Sequence, residues 1–267
     1  MNIIKCMNSN IVIKNLKKLI LEASFNAQEG HIPSAFSILD ILYVLYEDIL
    51  NINSENLNDL SRDYFVLSKG HASLAHSAIL YNKGLIKKTD LLSYCKFESI
   101  LGGHLDRSKV PGVEISTGSL GHGISVAVGI SLGCKIRKLN NKVICLCGDG
   151  EANEGTFWES LLLASNHKLS NLCILVDFNH SNDRSIKLDP LEKKIISFGF
   201  NVLSIDGHSH KQIKNTLSSL NYDRPNVIIA NTIKGKGIKV MENNPEWHHK
   251  FPKQEQLEDM FKELDKK

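Results

Sequence analysis

The stretch that decides the fold prediction is residues 143–151, which read VICLCGDGE. A run of five apolar residues is typical of a strand in a parallel sheet that helices cover on both faces. Gly148 and Gly150 then let the backbone turn tightly and come close to a bound phosphate, while Asp149 presents its carboxylate at the end of the strand. The segment therefore predicts a central strand that leads into a ligand-binding turn.

Four more apolar runs extend this pattern, at residues 64–67, 172–176, 202–205 and 227–230. Between them, apolar residues recur at three- and four-residue steps, which indicates helices. These helices are predicted at 12–27, 38–49, 124–136 and 157–164, with residues 30–34 as a loop and a peripheral helix in the tail after residue 243. The alternation predicts an α/β fold with a mostly parallel central sheet, helices on both faces, and a ligand site at the carboxyl ends of the strands.

The predicted helices at 124–136 and 157–164 carry almost no charged residues. Because a helix at the surface of a domain usually has one polar face, we expect both to be buried nearly all round. We infer that another subunit or domain covers part of this surface, through residues such as Ile124 and Val128, and the alternative is that both helices lie at the centre of the chain's own fold.

The composition excludes several classes of partner. The 267 residues carry 32 Lys and Arg against 29 Asp and Glu, and a net charge of +3 is too small to indicate nucleic acid or an anionic membrane. No run of 18 apolar residues occurs, so the sequence predicts a soluble, cytoplasmic protein. The 6 cysteines show no CxxC spacing and are predicted to be reduced and buried.

A metal site is predicted where two strands end. Asp149 and Asn179 each follow an apolar run and are separated by one strand-helix-strand unit, so both can reach one crevice. Carboxylate and amide oxygens suit Mg²⁺ that also holds a diphosphate, although Asp-Gly and Asp-x-Asn are common in ordinary turns. The pair His208 and His210 is a weak zinc candidate, because no further Cys or His lies at a suitable spacing.

These residues resemble a known cofactor motif. The segment Gly148-Asp149-Gly150-Glu151, followed thirty positions after Asp149 by Asn179, is similar to the thiamine-diphosphate motif, which begins with GDG and ends in an Asn-containing turn. The surrounding motifs resemble transketolase, in order and approximate spacing: GHIP at 30–33, SKGHAS at 68–73, GH at 103–104, GSLGHG at 118–123 and WH at 247–248. The resemblance covers residues 12–251, nearly the whole chain.

The resemblance implies roles for individual residues. Metal ligands would be Asp149, Asn179 and Ser181, holding Mg²⁺ with Ca²⁺ or Mn²⁺ as substitutes. Contacts to thiamine diphosphate would come from His71, Gly118, Leu120, Gly148, Gly150, Glu151, Asn179, Lys234 and His248, with His249 as an alternative to His248. The catalytic set would comprise His31, His71, His104, His248 and Glu154, the last resembling the family's subunit-interface glutamate. Because moving protons on a sugar needs groups that titrate near neutrality, we expect such pKa values for the histidines.

The resemblance also implies an assembly. It matches only the diphosphate-binding domain, so we expect residues 1–267 to form that single domain, with the pyrimidine-binding and C-terminal domains on a partner chain in a heterotetramer. The function expected is that of an N-terminal subunit of a split transketolase, which moves a two-carbon ketol unit between sugars or sugar phosphates. The alternatives are a split enzyme resembling deoxyxylulose-phosphate synthase and a non-catalytic regulatory module that binds thiamine diphosphate.

Overall fold

The computed structural model describes residues 9–183, 186–220 and 223–266. Five strands form one sheet: β1 Tyr64–Leu67, β2 Val143–Gly148, β3 Leu172–Phe178, β4 Asn201–Asp206 and β5 Asn226–Asn231. Around it lie α1 Ser9–Ala27, α2 Ile32–Val44, α3 Ser73–Asn82, α4 Lys88–Leu92, α5 His122–Ile136, α6 Gly155–Asn166, α7 Leu191–Ser197, α8 His210–Ser218 and α9 Gln254–Asp265. The five predicted strands are confirmed within one or two residues.

Every strand pair in the sheet is parallel, in the order β1-β2-β3-β5-β4. Parallel neighbours need a crossover connection, and the helices supply it. Strands β2 and β3 lie inside the sheet and are buried along their whole length, which explains their unbroken apolar sequences. The predicted α/β class is therefore confirmed, and the carboxyl ends of four strands, β1, β2, β3 and β5, meet along one edge.

Each face of the sheet has its own hydrophobic core. One core joins α1, α2, α3, α8 and α9 to side chains such as Phe65, Leu146 and Leu175. The other joins α5, α6 and α7 to the alternate side chains of the same strands, such as Val66, Cys145 and Ile174. The sheet is thus covered by helices on both sides, and its carboxyl edge stays free for a site.

Two local predictions are wrong. Residues 30–34 were expected to form a loop, but α2 begins at Ile32, because Pro33 has no N–H to lose in a helix's first turn and its fixed φ suits that position. Helices α5 and α6 are not buried all round either. Ile124 and Val128 pack against the chain's own sheet, and the opposite side of each helix is open.

The open side of α5 and α6 is apolar. Exposed fractions are 42% for Val126, 71% for Ile136, 60% for Leu162 and 46% for Leu163. On α5 the stripe continues through Gly129 and Gly133, where an added Cβ would meet nothing within 4 Å. We call these exposed residues the α5–α6 apolar face.

Four cysteines, at 134, 145, 147 and 173, are free and buried as predicted. Cys95 is free but exposed, contrary to the prediction, and Cys6 lies outside the described residues. Among the helices described, none combines the length and the apolar character needed to cross a membrane.

Candidate active site

A cleft of about 360 Å³ opens at the carboxyl edge of the sheet. The loops after β1, β2, β3 and β5 all contribute to its walls, as expected for an open parallel sheet. It is lined by His31, Lys69, His71, His104, Gly118, Leu120, Gly148, Asp149, Gly150, Glu151, Asn179, Ser181, Asn182, Lys234 and His248. Every site residue predicted from the sequence lines this cleft except Glu154.

Asp149 presents one carboxylate oxygen that has no hydrogen-bond partner in the part of the chain that the structure describes. Its Oδ1 accepts a hydrogen bond from the Gly150 N–H at 2.8 Å, and the Ser181 hydroxyl lies 3.5 Å away. Its Oδ2 is buried and accepts no hydrogen bond from the described residues. Burial, and then the charge of Asp177, raises the pKa of Asp149. Because an unsatisfied buried carboxylate oxygen is costly, a cation at Oδ2 would stabilise this arrangement.

Asn179 is held in one orientation beside Asp149. Its amide Nδ2 donates to Asp177 Oδ2 at 3.0 Å, and its Oδ1 accepts from the Ser181 N–H at 3.1 Å. Since the amide nitrogen faces Asp177, the carbonyl oxygen is on the side of Ser181. The structure thus brings the three predicted metal ligands, Asp149, Asn179 and Ser181, into one place.

A buried ion pair that the sequence analysis missed lies under this group. Lys69 Nζ contacts Asp177 Oδ2, and the two side chains are 3% and 0% exposed. The Asp177 carboxylate also accepts hydrogen bonds from the Ser37 hydroxyl, at 2.8 Å, and from the Thr232 hydroxyl. Burial alone would raise the pKa of Asp177. The Lys69 charge and these hydrogen bonds outweigh burial and lower that pKa.

The sequence signal for this pair was present but weak. Lys69 lies inside the quoted 68–73 motif, and Asp177 lies two residues before Asn179. They are 108 residues apart, and only the pairing of β1 and β3 with the central strand β2 brings them together. We assign Lys69 and Asp177 a positioning role, because they fix the amide of Asn179.

Three histidines converge on one wall of the cleft. The ring of His31 lies 5.2 Å from that of His71 and 5.4 Å from that of His248, measured between centroids. Burial and then the charge of His249 lower the pKa of His31 to about 4, whereas burial and then Lys69 lower that of His71 to about 2. The near-neutral pKa values expected for these two residues are therefore wrong. Both rings are neutral at pH 7 and can donate and accept hydrogen bonds.

His104 lines the same cleft and is exposed. Its ring packs over Gly118 and Gly70, where an added Cβ would come within 3.3 Å and 3.1 Å of its Cδ2 atom. The glycines in both predicted motifs thus leave space for this ring.

Lys234 and His248 line the same cleft and contact each other. Lys234 Nζ donates to His248 Nδ1 at 2.9 Å. Burial, and then the charge of Lys69, lowers the pKa of Lys234 to about 8. A buried ammonium whose pKa falls this far is short of negative charge, so the site favours an anion beside it.

His249 points elsewhere. Its Nε2 contacts Glu29 Oε1, and its ring lies 4.5 Å from that of His31. Between the two adjacent histidines, His248 is therefore the one that lines the cleft.

The backbone of the GDG turn is open to a ligand. A Cβ added to Gly150 would meet nothing closer than Asn182 Oδ1, at 3.9 Å. Glu151 is used differently from the prediction of a cofactor contact: it accepts hydrogen bonds from the Ser68 hydroxyl at 2.5 Å and from the N–H groups of Gly121 and Gly148 at 2.9 and 2.8 Å. Glu151 thereby ties the 118–123 loop to the GDG turn, and any direct contact with a cofactor stays a prediction.

Glu154 does not reach the cleft. It is exposed and precedes α6, whose open side belongs to the α5–α6 apolar face. A catalytic contact within this chain does not fit that position, and its predicted place at a subunit interface stays a prediction.

His208 and His210, the weak zinc candidate of the sequence, make hydrogen bonds to a buried carboxylate. His208 Nδ1 and His210 Nε2 bond the two oxygens of Asp40, at 3.0 and 2.8 Å. His208 Nε2 also accepts the Ile233 N–H at 2.9 Å, so its Nδ1 carries the proton donated to Asp40. Despite burial, these hydrogen bonds hold the pKa of Asp40 well below its usual range. His208 and His210 thus connect α2, through Asp40, to the segments that follow β4 and β5.

The cleft can therefore hold a divalent cation and an anion side by side. Asp149, Asn179 and Ser181 offer hard oxygen atoms, while Lys234, His71 and His248 offer hydrogen-bond donors. A diphosphate bound with a divalent cation would meet both of these groups of residues.

Comparisons with known proteins agree with this geometry. Residues 8–264 match the family model described as "Transketolase, thiamine diphosphate binding domain". The chain is 37% identical to one subunit of the apulose-4-phosphate transketolase of Phocaeicola vulgatus, over 94% of this chain and 91% of that protein. It is 33% identical to a 6-deoxy-6-sulfo-D-fructose transketolase subunit of a Clostridium species, over 94% of each.

Among solved structures, the transketolase of Campylobacter jejuni superposes with a TM-score of 0.86 and 31% identity. The match covers 97% of this chain and 43% of that one, so the chain spans less than half the length of that transketolase.

Proposed function

The chain belongs to the transketolase family, as a thiamine-diphosphate-binding domain, and on that premise we propose that it is the N-terminal subunit of a split transketolase. In this proposal residues 1–267 are the diphosphate-binding domain. A C-terminal subunit supplies the pyrimidine-binding domain, and two copies of each chain form a heterotetramer. The single observation that carries the proposal is the cleft that joins Asp149, Asn179 and Ser181 to Lys234 and His248.

A separate partner chain is supported by two independent observations. Relatives named as transketolase subunits match this chain over more than nine-tenths of their own length. The α5–α6 apolar face is open in this chain, and a contiguous apolar surface of this kind is typical of a protein–protein interface. Because Glu154 is exposed at the start of α6, we assign it to the same interface.

The residues of the cleft fit thiamine diphosphate with Mg²⁺. Oδ2 of Asp149, which has no hydrogen-bond partner among the described residues, is the ligand atom expected for a hard cation. Asn179 and a Ser181 oxygen complete the protein's share of the ligands. Mg²⁺ usually keeps substrate phosphates and waters among its ligands, which leaves room for the diphosphate. Gly150 gives the diphosphate access to the backbone, and Lys234, His71 and His248 surround it with donors.

When bound, thiamine diphosphate supplies the carbon nucleophile and electron sink that ketol transfer needs. The chain's own residues do the binding and orienting. His31 and His104 line the opening of the cleft, where the hydroxyl groups of a ketose donor would enter. A neutral imidazole can donate to one hydroxyl and accept from another, and it can move a proton between them.

The substrate class follows from what the two relatives share. One name specifies a sugar phosphate and the other a sulfo-sugar, so the anionic ends differ while the ketose end is common. We assign the ketose end to His31 and His104 of this chain, and recognition of the anionic end to the partner. The donor would be a ketose or ketose phosphate, and the acceptor an aldose.

The test is to purify the chain with its partner and supply thiamine diphosphate, Mg²⁺, a ketose phosphate and an aldose. We expect two-carbon transfer that needs all four components, measured by mass spectrometry of the products. Release of CO₂ from pyruvate, in place of ketol transfer, would move the assignment to an enzyme resembling deoxyxylulose-phosphate synthase. A stable complex that binds the cofactor and turns over neither donor would indicate a regulatory module.

A further inference from the structure

Three metal-ligating side chains meet at the rim of the cleft. Ligand atoms of Glu29, His31 and His249 all lie within 4.8 Å of one another. Glu29 and His31 come from the connection between α1 and α2, and His249 follows the short helix at 245–247, so the group joins distant parts of the chain. None of the residues assigned above to Mg²⁺ belongs to it.

The backbone holds the two segments in register. His31 and Lys250 form a parallel β-bridge, which fixes residues 29–31 against 249–250. The Glu29 carboxylate Oε1 contacts His249 Nε2 and also accepts the Gly30 N–H at 3.1 Å. A ligating carboxylate oriented by a second hydrogen bond is the arrangement found around protein metal sites.

The three ligand side chains, two imidazoles and one carboxylate, favour some metal ions over others. Two imidazoles and one carboxylate are the ligands of open zinc sites, which leave a fourth position for water or substrate. Imidazole favours ions of the zinc class over Mg²⁺, which prefers oxygen ligands. An imidazole binds a metal in its neutral form, and each of the two histidines offers one ring nitrogen to the ion. Glu29 supplies one negative charge to the proposed site. The ammonium of the neighbouring Lys250 lies over the ring of Trp247.

We propose that Glu29, His31 and His249 form a site for a divalent ion of the zinc class. The consequence for catalysis rests on the proposed function: an ion bound here engages His31, removes it from contact with the ketose, and blocks the rim. Zinc would then inhibit the reaction while Mg²⁺ supports it at Asp149.

Metal binding is tested on the full chain without any reaction, by titration calorimetry with ZnCl₂ in saturating Mg²⁺. The wild-type chain should bind one Zn²⁺ through this site. Glu29→Gln and His249→Gln should each weaken it by about 100-fold or more, because even the loss of an outer-shell partner commonly costs 10- to 100-fold. Two variants keep the site and serve as controls: His248→Gln, beside it in sequence, and His180→Gln, which removes a histidine from a second His–acid group on the surface.

The controls should retain the wild-type zinc affinity. Absence of zinc binding by the wild-type chain would overturn the proposal, and so would unchanged affinity in both Glu29→Gln and His249→Gln. Circular dichroism of each variant checks that the fold is intact.

A second measurement separates this proposal from the proposed function. In the complex with its partner, Zn²⁺ should inhibit the wild-type enzyme and should inhibit His249→Gln far less, each rate being divided by its own zinc-free rate. Zinc binding that depends on Glu29 and His249 in a complex without ketol transfer would refute the function and leave the site. An active complex whose chain binds no zinc would refute the site and leave the function.

Discussion

Replacing Lys69 by Met tests the buried ion pair that fixes the predicted metal ligands. Lys69 and Asp177 are 3% and 0% exposed, so the variant leaves a carboxylate buried without the cation that contacts it. Removing one partner of a buried pair typically costs about 3–5 kcal/mol. At roughly 2–4 °C for each kcal/mol in a chain of about this size, the thermal midpoint should fall by about 6–20 °C.

The assay is thermal and urea unfolding followed by circular dichroism. The matched control is Lys18→Met, which breaks the pair with Asp265, whose side chains are 29% and 57% exposed. An exposed pair contributes about 1 kcal/mol or less, so the control should change stability little. A loss of stability in Lys69→Met no larger than that in Lys18→Met would show that the Lys69–Asp177 pair is hydrated, and would refute its assignment as a buried pair.

The loss of stability in Lys69→Met should also depend on pH. Without Lys69, burial favours the protonated form of Asp177, so the folded-state pKa of that carboxyl exceeds its unfolded value. The contribution of Asp177 to the variant's stability is then fully present below the unfolded pKa and is lost as pH rises through the folded pKa. The difference from the wild-type chain should widen from pH 4 to pH 8, and a constant difference would contradict the assignment.

Three further predictions concern the site and the interface. Asp149→Asn should abolish metal-dependent binding of thiamine diphosphate in titration calorimetry, because the carboxylate charge is lost; unchanged affinity would refute the metal assignment. Affinity for thiamine diphosphate should fall as pH rises through about 8, because Lys234 must carry its proton to attract the diphosphate, and Lys234→Met should flatten that profile in the same titration. Leu162→Glu and Ile136→Glu should stop the partner from co-purifying while leaving the chain's own unfolding midpoint nearly unchanged, since both side chains are already exposed; normal assembly would place the partner elsewhere.

Much of the fold follows from local patterns in the sequence. The strands of a sheet covered on both faces are short unbroken apolar runs, and residues 143–147 and 172–176 match this description closely. The start of α2 was misplaced, because a proline near a glycine is typical of both a loop and a helix's first turn.

The sequence predicts the site residues whose positions follow directly from a short motif or from the end of a strand. Asp149 and Asn179 end neighbouring strands, so their spacing alone indicates that they share a crevice. The partner of Lys69 could not be predicted, because Asp177 lies 108 residues away and only the completed sheet joins them. The contact of His249 with Glu29 spans 220 residues and was hidden for the same reason.

The remaining differences between the sequence predictions and the structure depend on which side chains are buried. The apolar sequence of α5 predicts burial on every side, but the sequence does not say which side faces the chain's own core. Ile124 and Val128 pack internally, whereas Val126 and Ile136 form the open face. The pKa values of His31 and His71 likewise depend on how deeply each ring is buried, which a motif does not encode.

The most direct test of the central claim is to titrate the purified chain with its partner chain and to measure ketol transfer in thiamine diphosphate and Mg²⁺. The account predicts no transfer by either chain alone, and a rate that rises with added partner and saturates at one partner per chain. Transfer by this chain alone, or saturation without transfer when a ketose phosphate and an aldose are present, would contradict it.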